Sequence, residues 1–209
     1  MHWFEPLLYP ISFIYDGVTK VRNRLFDTGY NKSVSFTIPT IVVGNLSMGG
    51  TGKTPFVEFL IRLLSDFQSI CTLSRGYGRK TTGFILADED SNASQIGDEP
   101  FQIYSKFKTD VAVAVGEDRV MAIPMIIANL PSTDLILLDD AFQHRYVKGD
   151  LNILLTTFQK PFFDDKVLPV GTLREARAGA IRADIIVVTK CPEDFDESTK
   201  NFYQRELRV

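Results

Sequence analysis

Residues 44–55 of the chain read Gly44-Asn45-Leu46-Ser47-Met48-Gly49-Gly50-Thr51-Gly52-Lys53-Thr54-Pro55. An apolar, β-branched run from Ile38 to Val43 precedes this stretch, and apolar residues at spacings of three and four follow it. The order is therefore strand, glycine-rich turn, Gly-Lys-Thr and helix, which is the context of a phosphate-binding loop. Glycines allow several backbone N–H groups to point at one anion, and the helix adds the positive end of its dipole.

In such a loop, Lys53 reaches the β- and γ-phosphates of a nucleotide and the Thr54 hydroxyl binds Mg²⁺. The strict pattern G-x-x-x-x-G-K-[ST] expects glycine where this chain has Ser47, but serine is small and the Gly49-Gly50 pair can relax the turn. The structural alternative is a flexible glycine loop between a strand and a helix. The residues predicted to bind nucleotide are Asn45, Ser47, Met48, Gly49, Gly50, Thr51, Gly52, Lys53 and Thr54.

The composition is typical of a soluble globular protein with one sizeable domain. The chain has 209 residues, of which 44% are hydrophobic and 23% charged, and its net charge of −3 does not favour a nucleic-acid-binding surface. The two cysteines, Cys71 and Cys191, lie in apolar runs without CxxC spacing, which predicts buried thiols in a reducing, cytosolic compartment. Two histidines are too few for a histidine-rich metal site.

A second signal lies in residues 135–140, where an apolar strand ends in two aspartates. This is the Walker B pattern, whose carboxylate holds Mg²⁺ directly or through water at the carboxyl edge of the sheet. Aspartate is also common in turns, so Asp139 and Asp140 alone are weak evidence for a Mg²⁺ site. The presence of Lys53 and Thr54 earlier in the chain strengthens this prediction. Residues 143–144 add polar groups at the same edge, although His144 is equally compatible with a surface position.

The basic turn at residues 75–80 follows a predicted strand at Ser69 to Ser74. Ligands bind at the carboxyl ends of parallel strands, so Arg75 and Arg79 are candidates for holding phosphate. The alternative is a solvated basic turn.

Residues 96–100 introduce a helix, with Pro100 in its first turn. Asp98 or Glu99 would cap this helix. The functional alternative makes Asp98 a general base near the γ-phosphate, but the spacing alone favours the cap.

The first 30 residues form a separate predicted segment, a helix rich in aromatic residues and followed by basic ones. Its apolar part includes Trp3 and Phe4 and is shorter than the roughly 20 residues needed to span a bilayer. It has neither the basic leader nor the cleavage site of a signal peptide. We expect a helix at a membrane interface or, alternatively, one packed on the core of the domain or on a partner.

Strands and helices alternate along residues 31–209, which predicts one α/β domain: a three-layer, mainly parallel sheet of the P-loop NTPase type. Residues 158–171 are irregular, and a charged helix begins at Leu173. Further strands are predicted at 83–87, 111–115, 151–156 and 184–189, the last of the buried type, and helices at 116–128 and from Glu193 onward.

Six motifs, in order, strongly resemble those of the tetraacyldisaccharide 4'-kinases, the lipid A 4'-kinases of Gram-negative bacteria. The resemblance runs from the N-terminal helix to about Cys191, and serine at position 47 is a feature of this family. The motifs are residues 43–55, Leu73 to Arg79, Gly97 to Pro100, Val115 to Arg119, Asp139 to His144 and Leu168 to Glu175.

The resemblance implies transfer of the γ-phosphate of ATP, with Mg²⁺, to the 4'-hydroxyl of a tetraacyldisaccharide 1-phosphate. It also favours docking by the N-terminal helix on the cytosolic face of the inner membrane. Apart from the resemblance, we expect a monomer without nucleic-acid partners. Lys53 and Thr54 then serve the phosphates and Mg²⁺, and Asp98 is the general base for the sugar hydroxyl. The resemblance further implies catalytic or supporting roles for Asp139, Asp140, Glu99, Gln143, Arg174 and Glu175, and substrate contacts for Arg75, Arg79 and His144.

One departure bears on activity. Members of the family are longer, and a later portion supplies a second lobe and a histidine that partners the catalytic aspartate, whereas no histidine follows His144. We therefore expect a chain shortened at its C-terminus. The rival hypotheses are a GTPase-like switch and a non-enzymatic nucleotide-binding scaffold. Guanine-binding proteins usually carry Asn/Thr-Lys-x-Asp, whereas here Pro192 follows Thr189-Lys190-Cys191.

Overall fold

The computed structural model describes residues 5–108 and 110–208, and the predicted contributions of Trp3 and Phe4 lie outside these residues. The described chain is a mainly parallel α/β protein with seven strands, which confirms the predicted fold class. It divides into two compact units. The first comprises Met1–Lys32, Asn45–Gly52 and Asn152–Val209, and the second comprises Ser33–Gly44 and Lys53–Leu151. The predicted division at residue 30 differs from these units and stays a prediction.

The second unit contains five neighbouring strands in the order β3-β4-β2-β5-β1. All its pairs are parallel except β3 with β4, and Thr72 is in register with both Val113 and Leu137. The strands read as continuous apolar runs, as expected for strands buried on both faces. Their bounds are Thr40–Asn45 (β1), Ile70–Ser74 (β2), Ile85–Leu86 (β3), Val111–Val115 (β4) and Leu135–Leu138 (β5).

Four helices belong to the second unit: Lys53–Leu64 (α2), Ala93–Ile96 (α3), Asp98–Phe107 (α4) and Arg119–Asn129 (α5). The short α3 begins after Asn92, where Gln95 Oε1 accepts a hydrogen bond from the Asn92 backbone and completes a capping box. The core of this unit joins strands to α5 through Val42, Leu73, Ala114, Ile123, Ile126, Ile136 and Leu138.

The first unit contains helix α1 (Glu5–Asp27), the parallel strands β6 (Leu151–Thr157) and β7 (Ile185–Thr189), and helix α6 (Glu197–Glu206). Two 3-10 helices lie at Phe162–Asp164 and Arg177–Arg182. Helix α6 packs through Tyr203, whose ring stacks on Phe158 with centroids 4.9 Å apart. In the described part of the chain, no helix combines the length and apolarity needed to cross a membrane.

Three predictions for residues 173–191 are wrong. Residues 173–176 do not start a helix, because Leu173 forms an isolated β-bridge with Ser47 and the 3-10 helix begins only at Arg177. Strand β7 is not of the buried type, since its side chains are exposed or half-buried. Cys71 is buried as predicted, but Cys191 is exposed because it lies beyond the end of β7.

Candidate active site

The glycine loop, residues 45–52, belongs to the first unit, and two of its glycines have positive φ angles. Gly49 and Gly52 adopt φ values of 118° and 83°, which lie in the left-handed region that favours glycine. Asn45 is fully buried, and its side-chain amide donates to the Ser47 carbonyl at 2.6 Å. Ser47 is also buried and forms an isolated β-bridge with Leu173. The serine side chain is small enough to be buried at this position, where the strict pattern expects glycine.

Two later segments hold this loop. The Met48 N–H donates to the Thr172 carbonyl, and the Arg174 N–H donates to the Leu46 carbonyl, both at 2.7 Å. From the end of β7, Thr189 Oγ1 donates to the Thr51 carbonyl and Lys190 Nζ donates to the Gly50 carbonyl, again at 2.7 Å. The loop is therefore fixed by contacts distant in sequence. Sequence reasoning considered residues 189–190 only as a failed guanine motif and missed their contact with the loop.

One polar atom of the loop stands out. Thr51 is buried, and its Oγ1 has no hydrogen-bond partner among the described residues. Buried polar atoms in native proteins are nearly always hydrogen-bonded. A phosphate oxygen is a suitable acceptor for this hydroxyl, so the observation fits a loop that binds nucleotide.

Lys53 is the first residue of α2, and its Nζ lies 3.5 Å from Asp140 Oδ1. Asp140 follows the end of β5 and has a φ of 45°, and its N–H donates to Asp139 Oδ1 at 2.8 Å. The two aspartates thus form a tight turn beside the lysine ammonium group. Thr54 is half-buried one residue further along the helix.

Asp139 is almost fully buried. Burial raises its pKa to about 6, and the charges of Glu99 and Asp140 add to the rise, while Lys53 opposes it. Crowded carboxylates favour a cation near them. In residues 5–108 and 110–208, no cluster of three or more His, Cys, Asp or Glu side chains is placed to hold a metal. Mg²⁺ usually needs only one or two carboxylates besides phosphate and water, so the aspartates fit it.

A buried arginine supports the aspartate turn. Arg119 is 1% exposed, and its guanidinium donates to the carbonyls of Asp139 at 2.9 Å and Asp140 at 3.3 Å. Burial lowers its pKa to about 10, and the charge of Arg75 contributes. Sequence reasoning missed this residue, because its spacing marks only the start of α5, where Asp118 caps the helix.

Glycines also bring the basic turn close to α4. A Cβ on Gly76 would lie 2.7 Å from the Ile96 carbonyl, and one on Gly97 would lie 2.9 Å from the Tyr77 carbonyl. Asp98 is the exposed first residue of α4. The predicted capping role is wrong for Asp98, because the N-cap position belongs to Gly97, which has no side chain to donate or accept.

Arg75 and Arg79 lie in different surroundings. Arg75 is exposed, and its charge acts on Arg119 behind the aspartate turn. The Arg79 side chain is 3% exposed, pairs with Glu117 and donates to the Gly83 carbonyl at 2.6 Å. Arg79 therefore anchors its own loop, and its phosphate contact stays a prediction.

The remaining candidates have mixed surroundings. Gln143 and His144 are half-buried in the turn after Asp140, with the His144 ring 6.0 Å from that of Tyr146. In the first unit, buried Glu175 accepts two hydrogen bonds from Arg182, at 2.7 and 2.9 Å, and one from Asn23 at 2.6 Å. Glu175 thus ties α1 to the second 3-10 helix. The supporting catalytic roles of Gln143, His144, Arg174 and Glu175 stay predictions.

Comparisons with known proteins agree with one another. A model of the tetraacyldisaccharide-1-P 4'-kinase family matches residues 4–208. The tetraacyldisaccharide 4'-kinase of Flavobacterium johnsoniae is 52% identical over 209 residues, covering 100% of this chain and 60% of that protein. The enzyme of the same name from Bacteroides thetaiotaomicron is 50% identical over 203 residues, covering 97% and 53%.

A solved structure is also similar. The crystal structure of the "apo" form of LpxK from Aquifex aeolicus, in complex with ATP, has a TM-score of 0.82 and 38% identity. The match covers 93% of this chain and 62% of that one. The chain thus spans about 60% of the length of the first curated relatives.

Proposed function

This chain belongs to the tetraacyldisaccharide-1-P 4'-kinase family, and we propose that it transfers the γ-phosphate of ATP to the 4'-hydroxyl of a tetraacyldisaccharide 1-phosphate. The observation that carries the proposal is the placement of Lys53 at the start of α2, directly after the glycine loop and 3.5 Å from Asp140. The similar LpxK structure from Aquifex aeolicus is a complex with ATP, which supports the choice of nucleotide.

The residues present fit Mg·ATP. The loop offers left-handed glycines and the unpartnered Thr51 hydroxyl, while the helix after it begins with an ammonium and a hydroxyl group. Asp139 and Asp140 supply carboxylate oxygens, the ligands that Mg²⁺ prefers. When bound, ATP would supply the phosphoryl group and Mg²⁺ would offset the negative charge of the phosphates.

The acceptor hydroxyl needs a base, and we assign this role to Asp98. Its carboxylate is exposed at the N-terminus of α4, where the acceptor can reach it. A sugar hydroxyl is too weak an acid to ionise beforehand, so Asp98 accepts its proton late in the transfer. Lys53 and Arg75 would stabilise the charge of the transferring group by position and electrostatics, the main means of catalysis in phosphoryl transfer.

The lipid acceptor implies a membrane surface, and α1 has the character to meet one. Phe13 is 80% exposed and Leu7 is 70% exposed on this helix. A groove of about 370 Å³ beside α1 is lined by apolar side chains and by four charged residues, the basic Lys166 and Arg177 and the acidic Asp16 and Asp165. We place the protein peripherally on the cytosolic face of the inner membrane, as a monomer, with α1 in the interface.

The test is transfer of radiolabelled phosphate from ATP to tetraacyldisaccharide 1-phosphate in detergent micelles, using this chain and Lys53→Met as control. We expect label on the lipid with the native chain and a loss of more than about a hundredfold in the variant. Unlabelled GTP should compete poorly. Tight Mg·ATP binding without transfer would reject the kinase proposal for this chain and favour a nucleotide-binding module, and preference for GTP would favour a switch protein.

A further inference from the structure

A buried carboxylate lies on the helix that follows the glycine loop. Glu58 is 5% exposed in the middle of α2, where an apolar residue would be expected. It accepts a hydrogen bond from Gln102 Nε2 at 2.9 Å and pairs with Lys106, both on α4. Arg62, one turn along α2, lies 3.3 Å from the same carboxylate. Glu58 therefore joins two helices that each begin with candidate site residues.

Stability does not by itself explain this arrangement. Burial opposes ionisation of Glu58, but hydrogen bonds from Lys106 and Gln102 lower its pKa below the ordinary value. The carboxylate is therefore held as an anion with partners. Replacing a buried ion pair by apolar side chains of similar size is often neutral or stabilising, so such a pair is weak grounds for a stabilising role.

The spacing of residues along α2 and α4 shows which side chains the contact between Glu58 and Gln102 brings to the same level. Thr54, Glu58 and Arg62 are four residues apart and share one stripe of α2. Asp98, Gln102 and Lys106 are likewise four residues apart on one stripe of α4. The contact between Glu58 and Gln102 therefore lies one turn after Thr54 on one helix and one turn after Asp98 on the other.

A third contact shows the relative direction of the two helices. The Arg62 guanidinium carbon lies 5.2 Å from the centroid of the Phe107 ring, one turn after Glu58 on α2 and five residues after Gln102 on α4. The contacts thus advance along α2 and α4 in the same direction, so the helices run side by side with their N-termini at the same end.

From this geometry we propose that Glu58 is a positioning residue that sets the axial register of α2 against α4. Its contacts with Gln102 and Lys106 keep Thr54 level with Asp98. The inference rests on the proposed function, in which Thr54 serves the nucleotide and Asp98 the acceptor. A slip of one residue along a helix moves its side chains by about 1.5 Å, and misplacement of about 1 Å can cost on the order of a hundredfold in rate.

The principal variant is Glu58→Leu, which keeps the size and helix propensity of the side chain and removes its hydrogen bonds. We expect kcat for phosphate transfer to fall about tenfold or more, with KM for ATP within about twofold of the native value. The melting temperature should change by no more than a few degrees. A purely structural role predicts instead that activity follows stability.

Exchange of the two polar groups provides the rescue. In Glu58→Gln/Gln102→Glu, the amide on α2 can donate to the carboxylate on α4, and Lys106 lies four residues after that carboxylate. We expect this double variant to recover most of the kcat lost in Glu58→Gln. Arg62→Met is the matched control, because it removes a half-exposed partner on the same helix and should leave kcat near the native value.

A measurement without turnover separates this inference from the proposed function. Spin labels at Leu63→Cys and Ser105→Cys, in a Cys191→Ser background, report the distance between α2 and α4, since both sites are exposed. We expect Glu58→Leu to shift or broaden the distance distribution and the double exchange to restore it. An unchanged distribution in Glu58→Leu overturns the inference, whatever happens to transfer. Absence of transfer in the native chain counts only against the proposed function.

Discussion

At the level of single residues, the aspartate turn depends on a backbone conformation that few side chains accept. Asp140 has a φ of 45°, which asparagine and aspartate tolerate better than other non-glycine residues. The same residue places a carboxylate beside Lys53. Conformation and charge at this position can therefore be separated by substitution.

Asp140→Asn keeps the conformational tolerance and removes the charge. We expect the Kd for Mg·ATP to rise about tenfold, because a magnesium ligand and the partner of Lys53 are lost, with little change in melting temperature. Titration calorimetry with and without Mg²⁺ measures this. Asp140→Ala should also lower the free energy of unfolding, by about 1 kcal/mol or more. Equal Mg·ATP affinity in the native and Asp140→Asn proteins would argue against a metal role.

Lys190 tests the support of the glycine loop. Its Nζ donates to the Gly50 carbonyl, so Lys190→Ala frees one side of the loop and should raise the Kd for Mg·ATP by roughly three- to tenfold. Lys200→Ala is the control, because that lysine lies on α6 and pairs only locally with Glu197 among the contacts described. Similar calorimetric titrations for both variants would show that the Lys190 contact is incidental.

Among the secondary-structure elements, the start of α4 is constrained by a close approach between two backbone segments. Gly97 has a φ of 94°, and a Cβ there would lie 2.9 Å from the Tyr77 carbonyl. Gly97→Ala should lower the free energy of unfolding by about 2 kcal/mol, or the melting temperature by roughly 4 to 8 °C, and displace Asp98. Thermal denaturation checks the stability.

The matched control for this element is Gly17→Ala, in the interior of α1. No atom lies within 4 Å of a Cβ built at Gly17, and alanine is the better helix former. This substitution should be neutral or stabilising by up to about 1 kcal/mol. Two alanine variants with the same melting temperature would mean that the approach of Gly97 to Tyr77 is not constraining.

Helix α1 carries the proposed membrane contact. Phe13 and Ile14 are 80% and 66% exposed, so Phe13→Ser/Ile14→Ser removes apolar area that an interface would bury. We expect binding to phospholipid vesicles, measured by co-sedimentation, to fall at least about tenfold. Phe67→Ser removes an aromatic side chain that is 78% exposed elsewhere and should bind vesicles like the native protein. Loss in both variants would indicate nonspecific adsorption.

For the whole molecule, the sequence predicted the elements that local patterns encode. Strand β4 lies at Val111–Val115 as predicted, and β5 ends directly before Asp139. Apolar periodicity marks buried strands, and a glycine loop followed by Gly-Lys-Thr marks the start of α2. These features suffice to predict the mainly parallel α/β fold.

Features set by contacts distant in sequence were not predictable in the same way. Arg119 is buried because two carbonyls after β5 accept its hydrogen bonds, and nothing in residues near it encodes that burial. Lys190 contacts a loop that precedes it by 140 residues. The sequence near Leu173 predicts the start of a helix, but the β-bridge between Leu173 and Ser47 holds the backbone extended. Tertiary contacts outweigh local propensity in each case.

Phosphate binding and acceptor activation are two proposed roles that one pair of measurements can separate. Phosphate transfer to tetraacyldisaccharide 1-phosphate and Mg·ATP affinity are measured on the same preparations of native protein and Asp98→Asn. We expect Asp98→Asn to lose transfer by about a hundredfold or more while its Kd for Mg·ATP stays within about twofold. Transfer at the native rate in this variant, or equal loss of transfer and binding, would contradict this expectation.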